Sequence, residues 1–286
     1  MKRLLARVIP ARFRSNAVEI PVVRLSGAIM TGGSAFRPSL NLASCAPLLE
    51  KAFAEKDAPA VAISINSPGG SPVQSRLIFR RIRDLAVESN KTVLVYMEDV
   101  AASGGYMIAI AGDEIIADPS SIVGSIGVVS SMFGFPELLK KIGVERRVYT
   151  AGTNKATLDP FKPENKADIA HLKALQLEIH ATFIDMVKER RGARLTDNPD
   201  IFTGLFWTGT RAKELGLVDS LGDMRSDLKA RYGAKTKLKL ITQSKGLFGL
   251  RGGGTPGVSA NHVAASAAQG LMETADERAL WAQFGL

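Results

Sequence analysis

The sequence predicts an α/β fold, a mostly parallel sheet with helices packed on its faces, and three observations carry that expectation. Short apolar runs rich in Val and Ile alternate with longer stretches of helical periodicity, the rhythm of parallel strands joined by crossover helices. Aromatic residues make up only 6 % of the 286 residues while Gly contributes 27, so small aliphatic side chains must fill the core and tight turns must connect the layers. The two sharpest turn signals, Asn66-Ser67-Pro68-Gly69-Gly70 and Ala101-Ala102-Ser103-Gly104-Gly105, each follow a buried apolar run. They therefore fall at the carboxyl ends of strands, where open α/β sheets place their sites.

In chain order, residues 18–25 alternate and read as a strand, and 42–53 have helical spacing. Residues 60–65 form a buried strand that the first glycine turn ends. Residues 75–88 repeat Leu77, Ile78, Ile82 and Leu85 on one side of a helix with a basic outer face. A strand at 92–97, a helix over 103–111 that opens with small residues, and a strand at 114–117 complete the alternation. Two short apolar segments, 121–123 and 126–130, precede a helix over 136–142 and a strand over 144–150. A long amphipathic helix spans 163–191. Helices at 210–215 and 222–232 and a strand at 238–242 follow. Residues 246–257 hold six Gly in twelve, a flexible linker, and 259–284 read as an Ala-rich helix. The division is a basic arm (1–17), one domain (18–243), and a linker with its tail (244–286).

Composition excludes several function classes. One cysteine, Cys45, forbids an internal disulfide and is expected to be a small buried hydrophobe. The three histidines are scattered and no Cys/His cluster has metal-ligand spacing, so neither a metal nor a cofactor is expected. The net charge is +9, but Lys2, Arg3, Arg7, Arg12 and Arg14 supply five of those charges within residues 1–18. A nucleic-acid enzyme would spread a basic stripe over its domain, so nucleic acid is not expected as a partner. Arg7 and Pro10 interrupt the apolar residues of the N-terminus, which lacks the run of a signal peptide. The expected location is the cytoplasm. The arm is either solvated or, through its basic and apolar residues, a peripheral contact with the inner membrane.

The chemistry lies in the two glycine turns. Gly lets a backbone N–H approach a ligand closely. A Ser between small residues at the opening of a helix suits a nucleophile beside an oxyanion hole. Each turn taken singly is better read as a tight turn without chemistry. The pair, 33 residues apart with a helix between, is far more specific.

"SINSPGGSP", "DVAASGGYMIAIAGDEIIADPSSIVGSIGVV", "NKATLDPF" and "FWTGTRAKELGLVDSLGD" resemble the signal peptide peptidase A/SohB family of serine peptidases in order and spacing, from about Pro21 to Tyr232. The resemblance implies a Clp protease/crotonase-like layered fold and a Ser–Lys dyad. It makes Ser103 the nucleophile and Lys155, 52 residues later, the general base. It places Gly70 in the oxyanion hole, with the N–H of Gly104 as the natural second donor, and gives Ser125 the part of orienting the lysine amine. It also implies peptide substrates, remnant signal peptides among them, and a homo-oligomeric ring or dome whose sites neighbouring protomers complete. Where a Clp-like triad would want a histidine the sequence has Ile126-Gly127-Val128-Val129, and His171 lies in the long helix, so a lysine base is the better candidate. Trp207-Thr208-Gly209 and Gly216-Leu217-Val218-Asp219 read as structural supports for the long helix. Glu98, Asp99 and Asp113 read as structural or surface carboxylates. Two rival functions remain on the same residues, a crotonase-type acyl-CoA enzyme and a non-catalytic assembly subunit.

Overall fold

The computed structural model describes residues 17–32, 39–242 and 277–286. Eight strands form one sheet: β1 (Glu19–Ser26), β2 (Ala60–Ser67), β3 (Thr92–Ala102), β4 (Glu114–Ala117), β5 (Ile122–Gly124), β6 (Phe206–Thr208), β7 (Ser220–Leu221) and β8 (Lys237–Leu240). The main path runs β6-β5-β3-β2-β1-β8, with β4 and then β7 branching from β3. Every pairing is parallel except β5 with β6. The layered α/β architecture expected from the sequence, of the Clp protease/crotonase-like kind, is the one present.

The period of two along a strand sorts side chains into two cores. Val23, Leu25, Val61, Ile63, Ile65, Val93 and Val95 face one side. There they meet helices α1 (Leu42–Phe53), α2 (Pro72–Ser89) and α3 (Gly104–Ala109). The intervening Ile20, Val22, Ala60, Ala62, Leu94 and Tyr96 face the other side and pack on Leu228. Burial on both faces explains why β2 and β3 read as unbroken apolar runs. The long strand β3 serves two neighbours. Leu94–Met97 pair with β4 and Val100–Ala102 with β5, and the β2–β3 register shifts between Ile65 and Ser67. That shift extends the strand past the expected end at 97 and carries it to Ser103.

The remaining helices are α4 (Pro136–Ile142), α5 (Lys166–Arg191), α6 (Gly209–Glu214) and α7 (Met224–Tyr232). Helix α2 begins three residues before the expected start. Pro72 sits at its first turn, where the missing N–H costs nothing, and Ser71 caps it by accepting from the Gln74 N–H. Helix α5 begins at Lys166 and not at 163, capped by Asn165. The expected strand at 144–150 does not form. A strand needs a partner, and no described strand lies alongside; Val144 is 52 % and Tyr149 90 % exposed. The arm of residues 1–16 and the linker at 246–257 lie outside the described residues, as does most of the expected tail helix, of which 277–282 are helical.

The carboxylates near the glycine turns have structural partners, in line with their reading as structural or surface groups. Glu98 accepts from Ser64 and from Arg24, Asp99 from Asn66, and Asp113 from Arg83 and the Val93 N–H. Asp219 takes both guanidinium ends of Arg191 at 2.9 Å and the Ile115 N–H at 2.8 Å. The segment around it thus anchors the carboxyl end of α5. Burial alone would raise the Asp219 carboxyl. The hydrogen bonds and charge of Arg191 outweigh it and hold that carboxyl below the usual carboxylate range.

Candidate active site

The two glycine turns pack against each other at the carboxyl ends of β2 and β3. Ser67 Oγ donates to the Gly27 carbonyl at 2.7 Å and accepts from the Gly69 N–H at 3.2 Å, which locks the first turn. Gly69 and Gly70 have φ of 103° and 136°, the region that favours glycine. A Cβ on Gly69 would lie 2.8 Å from both the Gly104 nitrogen and Ser103 Cβ, and one on Gly70 would collide with the Ile29 carbonyl. Only hydrogen atoms fit at this junction.

The bridge to Ile29 also decides where the Gly70 amide points. Ile29 N–H donates to Gly69 O at 2.8 Å and Ser71 N–H to Ile29 O at 2.7 Å. In a parallel bridge of this kind the N–H of the middle residue, Gly70, faces away from Ile29. Neither it nor the Gly104 N–H, at the first turn of α3, meets a protein acceptor among the described residues. The two amides are neighbours: a Cβ on Gly104 would lie 3.3 Å from the Gly70 nitrogen.

Ser103 stands beside them at φ 51°, ψ −121°, a conformation a non-glycine residue adopts at a cost and only where its surroundings impose it. Its N–H donates to Gly124 O at 2.8 Å and its carbonyl accepts from Met107 N–H at 3.0 Å. Its hydroxyl has no hydrogen-bond partner among the described residues. Ser125 faces the same cleft, also at positive φ (53°), with its N–H on Leu205 O at 2.7 Å. Trp207 packs against Gly124, where any Cβ would strike the indole. The cleft encloses about 440 Å³, and Ser103, Gly70, Gly104 and Ser125 line it. Leu280 and Phe284 of the last segment form another wall, with the Phe284 ring 5.1 Å from that of Phe206.

Four of the five residues singled out in the sequence are thus brought together, and Lys155 is not among them. It sits exposed in the turn after Gly152, its N–H on Gly152 O at 3.3 Å, outside the lining of the cleft. The segment that carries it packs little against its own chain: α4 buries no residue, and Met132, Phe133, Leu138 and Tyr149 are exposed. Sequence reading missed His180, whose Nε2 lies 2.9 Å from the Ile126 carbonyl. It tethers the backbone next to Ser125 to α5, and no sequence motif marks it. Burial pushes the Cys45 thiol up to about 12, which removes it as a nucleophile at neutral pH. Among the described residues no group of His, Cys, Asp and Glu could hold a metal ion.

A strained serine beside two free amides at the ends of parallel strands is the equipment of an acyl-transfer hydrolase. Residues 86–239 match the profile of peptidase family S49. A putative protease of Methanocaldococcus jannaschii is 32 % identical over 216 residues, 71 % of this chain and 67 % of that protein. The chloroplastic serine protease SPPA of Arabidopsis thaliana is 31 % identical over 233 residues, 78 % of this chain and 33 % of its own length. A Brucella abortus protein named as the Na(+)/H(+) antiporter NhaA is 70 % identical over 287 residues, 99 % of this chain. The chain spans about two fifths of that relative (39 %), so its name describes a protein more than twice as long, whereas the family match lies inside the shared segment. Among the described residues no helix is long and apolar enough to cross a membrane. The chain belongs to peptidase family S49.

Proposed function

We propose that this protein is a serine endopeptidase that forms an acyl-enzyme on Ser103. The observation that carries the reading is the strained Ser103 hydroxyl beside the N–H groups of Gly70 and Gly104, all three without a hydrogen-bond partner among the described residues. Ser103 Oγ attacks the scissile carbonyl carbon while the neutral amine of Lys155 takes its proton. The oxyanion is held by the two amides. Collapse breaks the C–N bond, and the lysine ammonium returns the proton to the leaving amine. Water then gives a proton to the lysine as its oxygen attacks the ester carbonyl, and collapse breaks the acyl C–Oγ bond, the lysine ammonium returning the proton to Ser103 Oγ as the acid leaves. No cofactor enters. Ser125 aims the amine. Because the arm of Lys155 stands away from its own cleft, the base is supplied by a neighbouring copy in a homo-oligomer. The substrates are peptides, remnant signal peptides among them. The enzyme works in the cytoplasm, where residues 1–18 rest peripherally on the membrane, each positive charge adding about 1 kcal/mol near an anionic bilayer.

Peptide products of wild type and Ser103→Ala, compared by mass spectrometry, test the reading. Turnover falls by about a thousandfold or more in the variant while the circular dichroism is unchanged. A fluorophosphonate adduct on Ser103 separates this mechanism from an acyl-CoA enzyme, which needs no serine nucleophile. Comparable cleavage by folded Ser103→Ala would overturn it.

A further inference from the structure

We propose that the groove between α2 and α5, beside the catalytic cleft, is a substrate subsite that takes an apolar side chain flanked by an acidic one, with Arg76 and Arg80 as its specificity-determining residues. This rests on the peptidase reading above. Helix α2 turns Ser75, Ile78, Ile82 and Leu85 inward. Its opposite stripe, Val73, Arg76, Leu77 and Arg80, follows the i, i+3, i+4, i+7 spacing of one helix face. With Met107 and Ile179 that stripe bounds a space of about 240 Å³. Val73 is 63 % and Leu77 39 % exposed, so the floor of the groove is apolar surface left open to solvent.

Two features identify the occupant. Pro72, Met107 and Ile179 line both this groove and the cleft that holds Ser103, so an extended peptide with its carbonyl on the oxyanion donors continues into the groove. The rim is also positive and unspent. Of the four arginines of α2, Arg81 donates to Glu50 at 2.6 Å and Arg83 to Asp113 at 2.7 Å. Arg76 and Arg80 have no acidic partner among the described residues. Two guanidinium groups one helical turn apart above an apolar floor favour a carboxylate next to an apolar side chain and repel a lysine. The occupant is therefore the substrate itself, a peptide with an acidic residue beside an apolar anchor.

The test uses fluorogenic peptides of one apolar core, with Glu, Gln or Lys walked through positions on both sides of the scissile bond. Wild type, R76A/R80A and R76E/R80E are compared, with Ser103→Ala as background. At one position wild type favours Glu over Lys in kcat/KM by about fivefold or more, and the preference weakens with added salt. R76A/R80A loses the preference and R76E/R80E inverts it. Equal Glu/Lys ratios in wild type and R76E/R80E at every position overturn the inference. So does an R76E/R80E protein whose mass in light scattering drops while its ratio stays that of wild type, which would make the groove a contact between copies. Cleavage that depends on Ser103 but ignores charge sinks this inference alone. Absence of any Ser103-dependent cleavage sinks the peptidase reading and this inference with it.

Discussion

The two halves of α5 obey different rules. In the carboxyl half Phe183, Met186, Val187 and Arg191 are buried. Arg190 donates to the carbonyls of Ile110 and Gly112 at 2.8 Å, and Arg191 reaches Gly216 and Asp219. In the amino half no residue before Phe183 is buried, and Leu175 and Leu177 stand exposed at 43 % and 68 %. The nucleophile and both oxyanion donors are set in the region on which the first half docks. The candidate base lies in the segment that leads into the second. One chain's packing therefore suffices to build half of the proposed dyad. The other half belongs to a surface whose exposed apolar side chains, under the proposed assembly, a second copy covers.

The largest expected effect breaks this comparison directly. Ser103→Ala and Lys155→Ala are each inactive alone, and so is Lys155→Arg, because a guanidinium cannot accept the proton. If the dyad forms between copies, co-refolding the two alanine variants in equal amounts restores roughly a quarter of wild-type turnover, since that fraction of neighbouring pairs carries both intact groups. A mixture as inactive as its components places both residues of the dyad in one chain.

A smaller effect sharpens the docked side. Asp219→Ala leaves the buried Arg191 guanidinium with only the Gly216 carbonyl, and costs about 2–3 kcal/mol of stability by urea unfolding at neutral pH. The sign with pH follows from the depressed carboxyl. The stabilisation is complete above the ordinary aspartate range near pH 4 and is lost as pH falls through the lower folded value. The gap between wild type and variant therefore narrows in acid. A gap constant with pH would mean that Asp219 acts through shape and not charge.

The same division governs what could be read in advance. Strands β1 to β4, the two glycine turns and the place of Ser103 were legible because each is fixed by local chemistry: alternation, Pro and Gly at turns, small residues where backbones meet. The carboxyl anchor of α5 was legible in outline, as the support role of the segment ending in Asp219. The expected strand at 144–150 holds the β-forming residues Val144, Val148, Tyr149 and Thr150 but has no described neighbour to pair with, and a sequence pattern carries no information about whether a partner is present. His180 was invisible for a related reason. Its hydrogen bond joins residues 54 apart, and only the path of α5 over the cleft brings them together.

His180 supplies the smallest and last test, because it is where the docked and projecting halves of α5 meet. A carbonyl oxygen only accepts, so the Nε2 facing Ile126 O at 2.9 Å carries a proton. Ile126 is buried, and its neighbours are Ser125, at positive φ, and Gly127, whose N–H turns back to the Ser125 carbonyl at 3.0 Å. The tether thus limits how the Ser125 segment can move, while touching neither nucleophile nor oxyanion donors. His180→Ala removes one hydrogen bond worth about 0.5–1.5 kcal/mol. If that bond holds Ser125 in place for the transition state, kcat falls roughly threefold to tenfold, KM for a short peptide stays within about twofold, and His180→Gln, which can still donate to the carbonyl, recovers part of the loss. A variant with wild-type kcat but a lower melting temperature would assign the bond to the scaffold alone. The docked half of α5 would then begin at His180 and not at Phe183.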